Sequence, residues 1–222
     1  MKNYVIFFVL LTCSQMNAQI LKKGFSYLSE VDESIQQELR YFSSNNFIGK
    51  KIDAYKKNTI IISNAAANAL KKVQAELKQM GLSLKVYDAY RPQHSVDHFV
   101  RWAKKLNDTL MKQSYYPTIR KSDLFKLGFI ASKSGHTRGS SVDLSIVEIK
   151  TNKEIDMGSS YDFFGAISHS FHKKLSSRQE KNRMLLRNIM IKNGFKPYDK
   201  EWWHYTLVDE PFPNTYFNFD IE

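Results

Sequence analysis

The clearest apolar rhythm lies over residues 63–80, where Ala66, Leu70, Val73 and Leu77 recur at helical spacing and Gly81 follows in the position that ends helices. Beyond it Leu82, Leu84 and Val86 alternate with polar residues, the period of a half-buried strand that runs into Asp88-Ala89-Tyr90-Arg91 and stops at Pro92. Helical spacing returns over residues 94–103 through Val96, Phe99, Val100 and Ala103. Val142, Leu144 and Ile146 alternate again, which puts Asp143 and Ser145 together on the opposite face of that strand. Ser177-Arg178-Gln179-Glu180 has the form of a capping box, and the helix it opens carries Leu185, Leu186, Ile189 and Met190 before Asn193-Gly194 closes it. A last strand is expected over residues 203–208. Strands and helices mix without the regular beat of βαβ units, so the pattern predicts an α+β fold with a small antiparallel sheet flanked by helices.

At 222 residues, 42% of them hydrophobic, the chain can bury one substantial core but not two comparable ones. No repeat, low-complexity tract or Pro/Ser linker divides it, so a single domain is expected. Residues 1–19 stand apart. Lys2, the apolar run of residues 4–11 and the small, polar stretch ending Asn17-Ala18-Gln19 read as a signal peptide cleaved after Ala18. Residues 20–222 would then form the folded domain, exported to the periplasm or secreted. No stretch approaches the ~20 apolar residues of a membrane-crossing helix, so no membrane span is expected. Cys13 after Leu10-Leu11-Thr12 offers a lipid anchor as the alternative, although Thr12 fits poorly where lipoprotein processing sites carry a small residue.

Cys13 is the chain's only cysteine, so the mature protein would have no disulfide and no thiolate ligand. Any metal must rest on His, Asp or Glu. The formal net charge of +11 could steer toward nucleic acid or an anionic envelope polymer. Its basic residues sit in scattered pairs such as Lys71-Lys72 and Lys173-Lys174 with no aromatic interleaving, the pattern of solvated helix faces. Export favours the envelope polymer, and no nucleic-acid partner is expected.

Two of the six histidines keep unusual company. Ser134-Gly135-His136-Thr137-Arg138-Gly139-Ser140-Ser141-Val142-Asp143 sets an imidazole in a Gly-flanked turn and a carboxylate at the start of a strand. Glu201-Trp202-Trp203-His204-Tyr205 adds a second imidazole with a carboxylate three residues before it. Two His and one carboxylate suffice to hold a catalytic zinc with its fourth position open. A further carboxylate that is not a ligand can act as general base on a water acidified by the metal. In a regular strand Glu201 and His204 would point to opposite faces, so this reading requires Glu201 before the strand or at a bulge. The alternative is a surface His beside a structural Asp, with Trp202 and Trp203 in the core. His94, His98, His169 and His172 read as helix or loop residues.

The chain resembles the D-alanyl-D-alanine dipeptidases of the VanX type, within the wider family of zinc D,D-peptidases. Six motifs in order carry the resemblance: Asp88-Ala89-Tyr90-Arg91-Pro92, Ser114-Tyr115-Tyr116-Pro117, the stretch from Ala131 to Gly139, Met157-Gly158-Ser159-Ser160-Tyr161-Asp162-Phe163, Glu201-Trp202-Trp203-His204-Tyr205 and Asp209-Glu210-Pro211-Phe212-Pro213-Asn214. It implies that His136, Asp143 and His204 bind one Zn²⁺ in a cleft, that Glu201 is the catalytic acid/base, and that Arg91 stabilises the transition state. The rival roles for Arg91 are a fork on the substrate's terminal carboxylate and a structural salt bridge with Asp88. Asp162 and Ser134 are candidates for holding the ammonium of a small D-amino-acid dipeptide, and Tyr205 and Ser145 for orienting the ligands. The implied function is hydrolysis of D-alanyl-D-alanine to two D-alanines in cell-wall peptide turnover. The signal peptide departs from resistance enzymes of the family, which work in the cytoplasm. The alternatives are a D,D-carboxypeptidase or endopeptidase on peptidoglycan stem peptides, and a zinc-binding module without catalysis.

Overall fold

The computed structural model describes residues 21–222, so the expected signal peptide, its cleavage site and Cys13 lie outside the described residues. The strands are β1 (Phe25–Tyr27), β2 (Gln36–Gln37), β3 (Ile61–Ser63), β4 (Leu82–Asp88), β5 (Ser141–Glu148), β6 (Phe195–Tyr198) and β7 (Glu201–Leu207). The helices are α1 (Leu28–Val31), α2 (Asn64–Gln79), α3 (Gln93–Lys104), α4 (Lys112–Tyr115), α5 (Leu124–Leu127) and α6 (Ser177–Lys192). Among the described residues no helix is long and apolar enough to cross a membrane.

The α+β expectation holds. A five-stranded sheet runs in the order β2-β4-β5-β7-β6, and β1 pairs with β3 separately. All its pairings are antiparallel except β2 with β4, which is parallel because the chain returns to that edge through β3 and α2. Helix α2 forms where the rhythm predicted it: Ser63 Oγ accepts from Ala66 N at its start, and Ala66, Leu70, Val73 and Leu77 are buried. Its Gln74 is tied to β4, accepting from Leu84 N at 2.8 Å and donating to Ser83 Oγ at 2.9 Å. Those two bonds give a buried amide its partners and fix the helix on the sheet.

Two expectations shift by a residue or two. The capping box of α6 is formed by Ser176 and Gln179, not Ser177 and Glu180. Ser176 keeps extended backbone while Ser177 is already helical, so it is Gln179 that reaches back to the cap. The last strand begins at Glu201, ahead of the expected residue 203. Strand β5 lies between β4 and β7 and is buried from Ser141 to Val147, which gives its polar positions a dry, sheet-held frame.

Candidate metal centre and active site

Asp143 and His204 are register partners on β5 and β7, so the sheet itself sets them side by side on one face. His136 arrives from a 3₁₀ turn, Gly135–Arg138, immediately before β5. Ser134 caps that turn by accepting from His136 N, and Gly139 ends it in the left-handed region at φ 84°. A side chain at Gly139 would strike the Phe25 ring 2.3 Å from its Cε1, so the turn can lie this close to the core only with glycine there.

The three side chains converge. His136 Nε2 lies 3.1 Å from His204 Nδ1 and 3.2 Å from Asp143 Oδ1, and His204 Nδ1 lies 3.0 Å from the same oxygen. Zinc–ligand bonds of ~2.0–2.1 Å on a tetrahedron set donor–donor edges of ~3.3 Å, close to this triangle. Proton placement points the same way. His136 Nδ1 is 2.7 Å from the Ala89 carbonyl, a bond that requires the proton there and leaves Nε2 with a lone pair. His204 Nε2 is 3.4 Å from Thr206 Oγ1, and a proton on that nitrogen leaves Nδ1 free as well. Two imidazole lone pairs and a carboxylate oxygen then face one another, an arrangement that a cation resolves. Burial lowers the His136 pKa to about 4, keeping the ring neutral as a ligand must be. The residues present therefore fit a zinc ion.

Of the two placements that the sequence allowed for Glu201, before the strand or at a bulge, the structure has the bulge. Between β6 and β7 the register slips, Pro197 pairing with Tyr205 but Tyr198 with Glu201. The irregularity brings Glu201 Oε2 to 3.9 Å from His204 Nδ1, beside the ligand triangle but outside it. Burial, seconded by the charge of Asp143, raises the Glu201 pKa to about 7, suited to taking and returning a proton near neutral pH.

Arg91 leaves the end of β4, its guanidinium lying over the rings of Tyr41 and Phe99. Its Nε donates to Asp88 Oδ2 at 2.9 Å and its Nη2 to Asp143 Oδ2 at 3.3 Å. Tyr55 in turn donates to Asp88 Oδ1 at 2.7 Å. The salt bridge with Asp88 thus exists, and it aims the guanidinium into the pocket, whose wall Arg91 also forms. Nη1 makes no hydrogen bond among the described residues.

A cavity of about 270 Å³ collects these groups with Asp162, Ser134 and aromatic walls including Phe47, Phe129 and Phe164. That is just under the ~300 Å³ where pockets for drug-sized ligands begin. Asp162 is buried and held in the left-handed region at φ 60°. It accepts from Tyr41 Oη at 2.8 Å, and no cation pairs with it among the described residues. Burial, with Asp143 adding to it, pushes its carboxyl well above the usual range. An incoming cation would reverse that shift.

Two expectations need correction. Tyr205 does not touch a ligand: its hydroxyl donates to the Trp202 carbonyl. Ser145 lies on the Asp143 face of β5, yet its Oγ is buried without a partner among the described residues. The groups that orient the ligands are instead the Ala89 carbonyl, Thr206 and Tyr161, whose hydroxyl lies 3.1 Å from Asp143 Oδ2. Thr206 stands two residues after His204 and could have been found from strand geometry; Tyr161 belongs to a motif that carries the resemblance, but its contact with Asp143 is made across a loop that strand geometry does not reach. His94, His98, His169 and His172 stand outside this cavity.

The M15 peptidase family, described as D-ala-D-ala dipeptidase, matches residues 22–222. A D-alanyl-D-alanine dipeptidase of Enterococcus faecalis is 41% identical over 201 residues, covering 90% of this chain and 100% of that protein. Proteins of the same name from Enterococcus faecium and Streptomyces coelicolor are each 38% identical, covering 90% and 89% of this chain and 98% of their own lengths.

Proposed function

The chain belongs to the M15 peptidase family of D-ala-D-ala dipeptidases and is a zinc metallopeptidase, and from that footing we propose that it hydrolyses free D-alanyl-D-alanine to two D-alanines. The observation that carries this reading is the meeting of His136, Asp143 and His204 at one wall of a small cavity, with Glu201 beside them and unligated. A purely structural zinc site has four protein ligands and no use for such a carboxylate.

His136, Asp143 and His204 would hold the ion, which when bound supplies Lewis acidity toward a carbonyl and acidifies water. Glu201 takes a proton from the attacking water as its oxygen bonds to the scissile carbon. It returns that proton to the departing amine as the C–N bond breaks. Arg91, fixed by Asp88 and Asp143, offers Nη1 to the carbonyl oxygen as negative charge gathers there. Asp162 and Ser134 hold the substrate ammonium, where a peptide extended at its N-terminus has an uncharged amide. Export to the periplasm or medium, read from residues 1–19, would set this reaction in cell-wall peptide turnover.

The test is D-alanine release from purified protein given D-alanyl-D-alanine, L-alanyl-L-alanine and a stem peptide ending in D-alanyl-D-alanine. Fast release from the first alone is expected, and comparable release from the stem peptide would replace this reading with a carboxypeptidase. Mass spectrometry of the mature N-terminus tests export: a start at Gln19 is expected, and a lipid-modified Cys13 would mean an anchor.

A further inference from the structure

Arg183 lies on α6, away from the pocket lining, yet it is 2% exposed and no carboxylate pairs with it among the described residues. A buried cation without a counter-ion is expensive unless its donors are well used. All of the recorded bonds go to a single loop: Nε donates to the Met157 carbonyl at 2.6 Å, Nη1 to the His169 carbonyl at 2.7 Å, and Nη2 to the Ile167 carbonyl at 2.9 Å and Ser159 Oγ at 3.5 Å. Ser159 Oγ also accepts from Trp202 Nε1 at 2.9 Å, so the same cluster touches the residue after Glu201.

That loop delivers Tyr161 to Asp143 and Asp162 to the cavity, the latter in the left-handed region, which aspartate tolerates better than most non-glycine residues. The loop has no helix or strand of its own beyond a 3₁₀ turn at Ala166–Ser168. We propose that Arg183 is a positioning residue for substrate selection: by tying the carbonyls of residues 157, 167 and 169 to α6 it holds the intervening loop so that Asp162 presents its carboxylate to the substrate ammonium. The role rests on the reading of Asp162 given above. A lysine keeps the charge but not the planar fork that reaches three carbonyls at once.

The experiment compares kcat/KM for D-alanyl-D-alanine and its N-acetyl derivative, which lacks the ammonium, in the zinc-loaded protein and in Arg183→Lys, Asp162→Asn and the double variant. Arg183→Lys keeps its zinc and lowers the ratio of the two by about tenfold or more, within the ~10²-fold that small misplacements cost. The double variant lowers it no further than Asp162→Asn alone. A parallel loss on both substrates, or an unchanged ratio while Asp162→Asn lowers it, would overturn the proposal as a merely structural role. If Asp162→Asn itself leaves the ratio unchanged, the ammonium reading fails. Amide hydrogen exchange then decides the positioning claim: faster exchange over residues 157–169 with β5 unaltered supports it, and no change there overturns it. Should Arg183→Lys not fold, Ser159→Ala removes one acceptor and carries the same test, with a narrowed ratio expected and an unchanged one contrary.

Discussion

The two ends of the cavity are built by different means. At one end Asp143 and His204 are register partners in the interior of the sheet, and His136 stands in a capped turn that leads directly into it. At the other, Asp162 rides on a loop in a left-handed conformation and is kept in place by Tyr41 and by the bonds that Arg183 makes to its neighbours. A ladder of backbone hydrogen bonds fixes the first, as a ligand triangle needs. The second is held by a few side chains that long-range folding brings together. On the proposed reading, bond-breaking chemistry rests on the sheet and substrate selection on the loop, so the two should be separable by mutation.

The largest effect is expected at the sheet end. His136→Ala, Asp143→Ala or His204→Ala should each lose bound zinc and all measurable turnover, and a chelator should do the same to the unaltered protein until Zn²⁺ is restored. Metal analysis of the purified variants checks this; full occupancy in all three would remove these residues from the coordination sphere. Next is Glu201→Ala, which should keep its zinc while turnover falls on the order of 10²-fold or more, the scale of general acid/base contributions. Loss of metal in that variant would make Glu201 a ligand instead.

Asp162→Asn probes the loop end. A site built around a polar partner can reject substrates lacking it by as much as ~10⁴-fold, and this variant should narrow the gap between dipeptide and stem peptide by weakening the dipeptide alone. Equal losses on both substrates would merge the two ends into one functional unit. The smallest effect belongs to Thr206→Val, which removes the acceptor for His204 Nε2 and should weaken zinc binding by about tenfold, the low end for groups that orient ligands. A competition titration with a zinc chelator would reveal it, and unchanged affinity would mean that the sheet alone orients His204.

The same division explains what the sequence disclosed. The motifs around His136 and His204 are local, and strand periodicity placed Asp143 on a defined face; the need for Glu201 to stand before the strand or at a bulge followed from counting residues between two side chains. The helices over residues 64–79 and 93–104 could be read from apolar spacing because each buries one face, the first against β4 and the second against the rings of Tyr41, Phe47 and Tyr116. Arg183, Tyr41 and Tyr161 were not legible, because each acts across 18 or more residues of chain or against backbone carbonyls, which leave no mark on composition or period. Tyr205 was misplaced because strand alternation puts it on the face opposite His204, where its hydroxyl turns back to Trp202.

The most direct test of a pocket that selects the substrate ammonium is the rate of D-alanine release from free D-alanyl-D-alanine against that from a stem peptide with the same two terminal residues, at equal concentration and with zinc bound. The free dipeptide should be cut faster by several orders of magnitude, up to the ~10⁴-fold that a buried polar partner can enforce. Comparable rates on the two would contradict it, leaving the ligand triangle intact but removing the ammonium as the feature by which this pocket chooses its substrate.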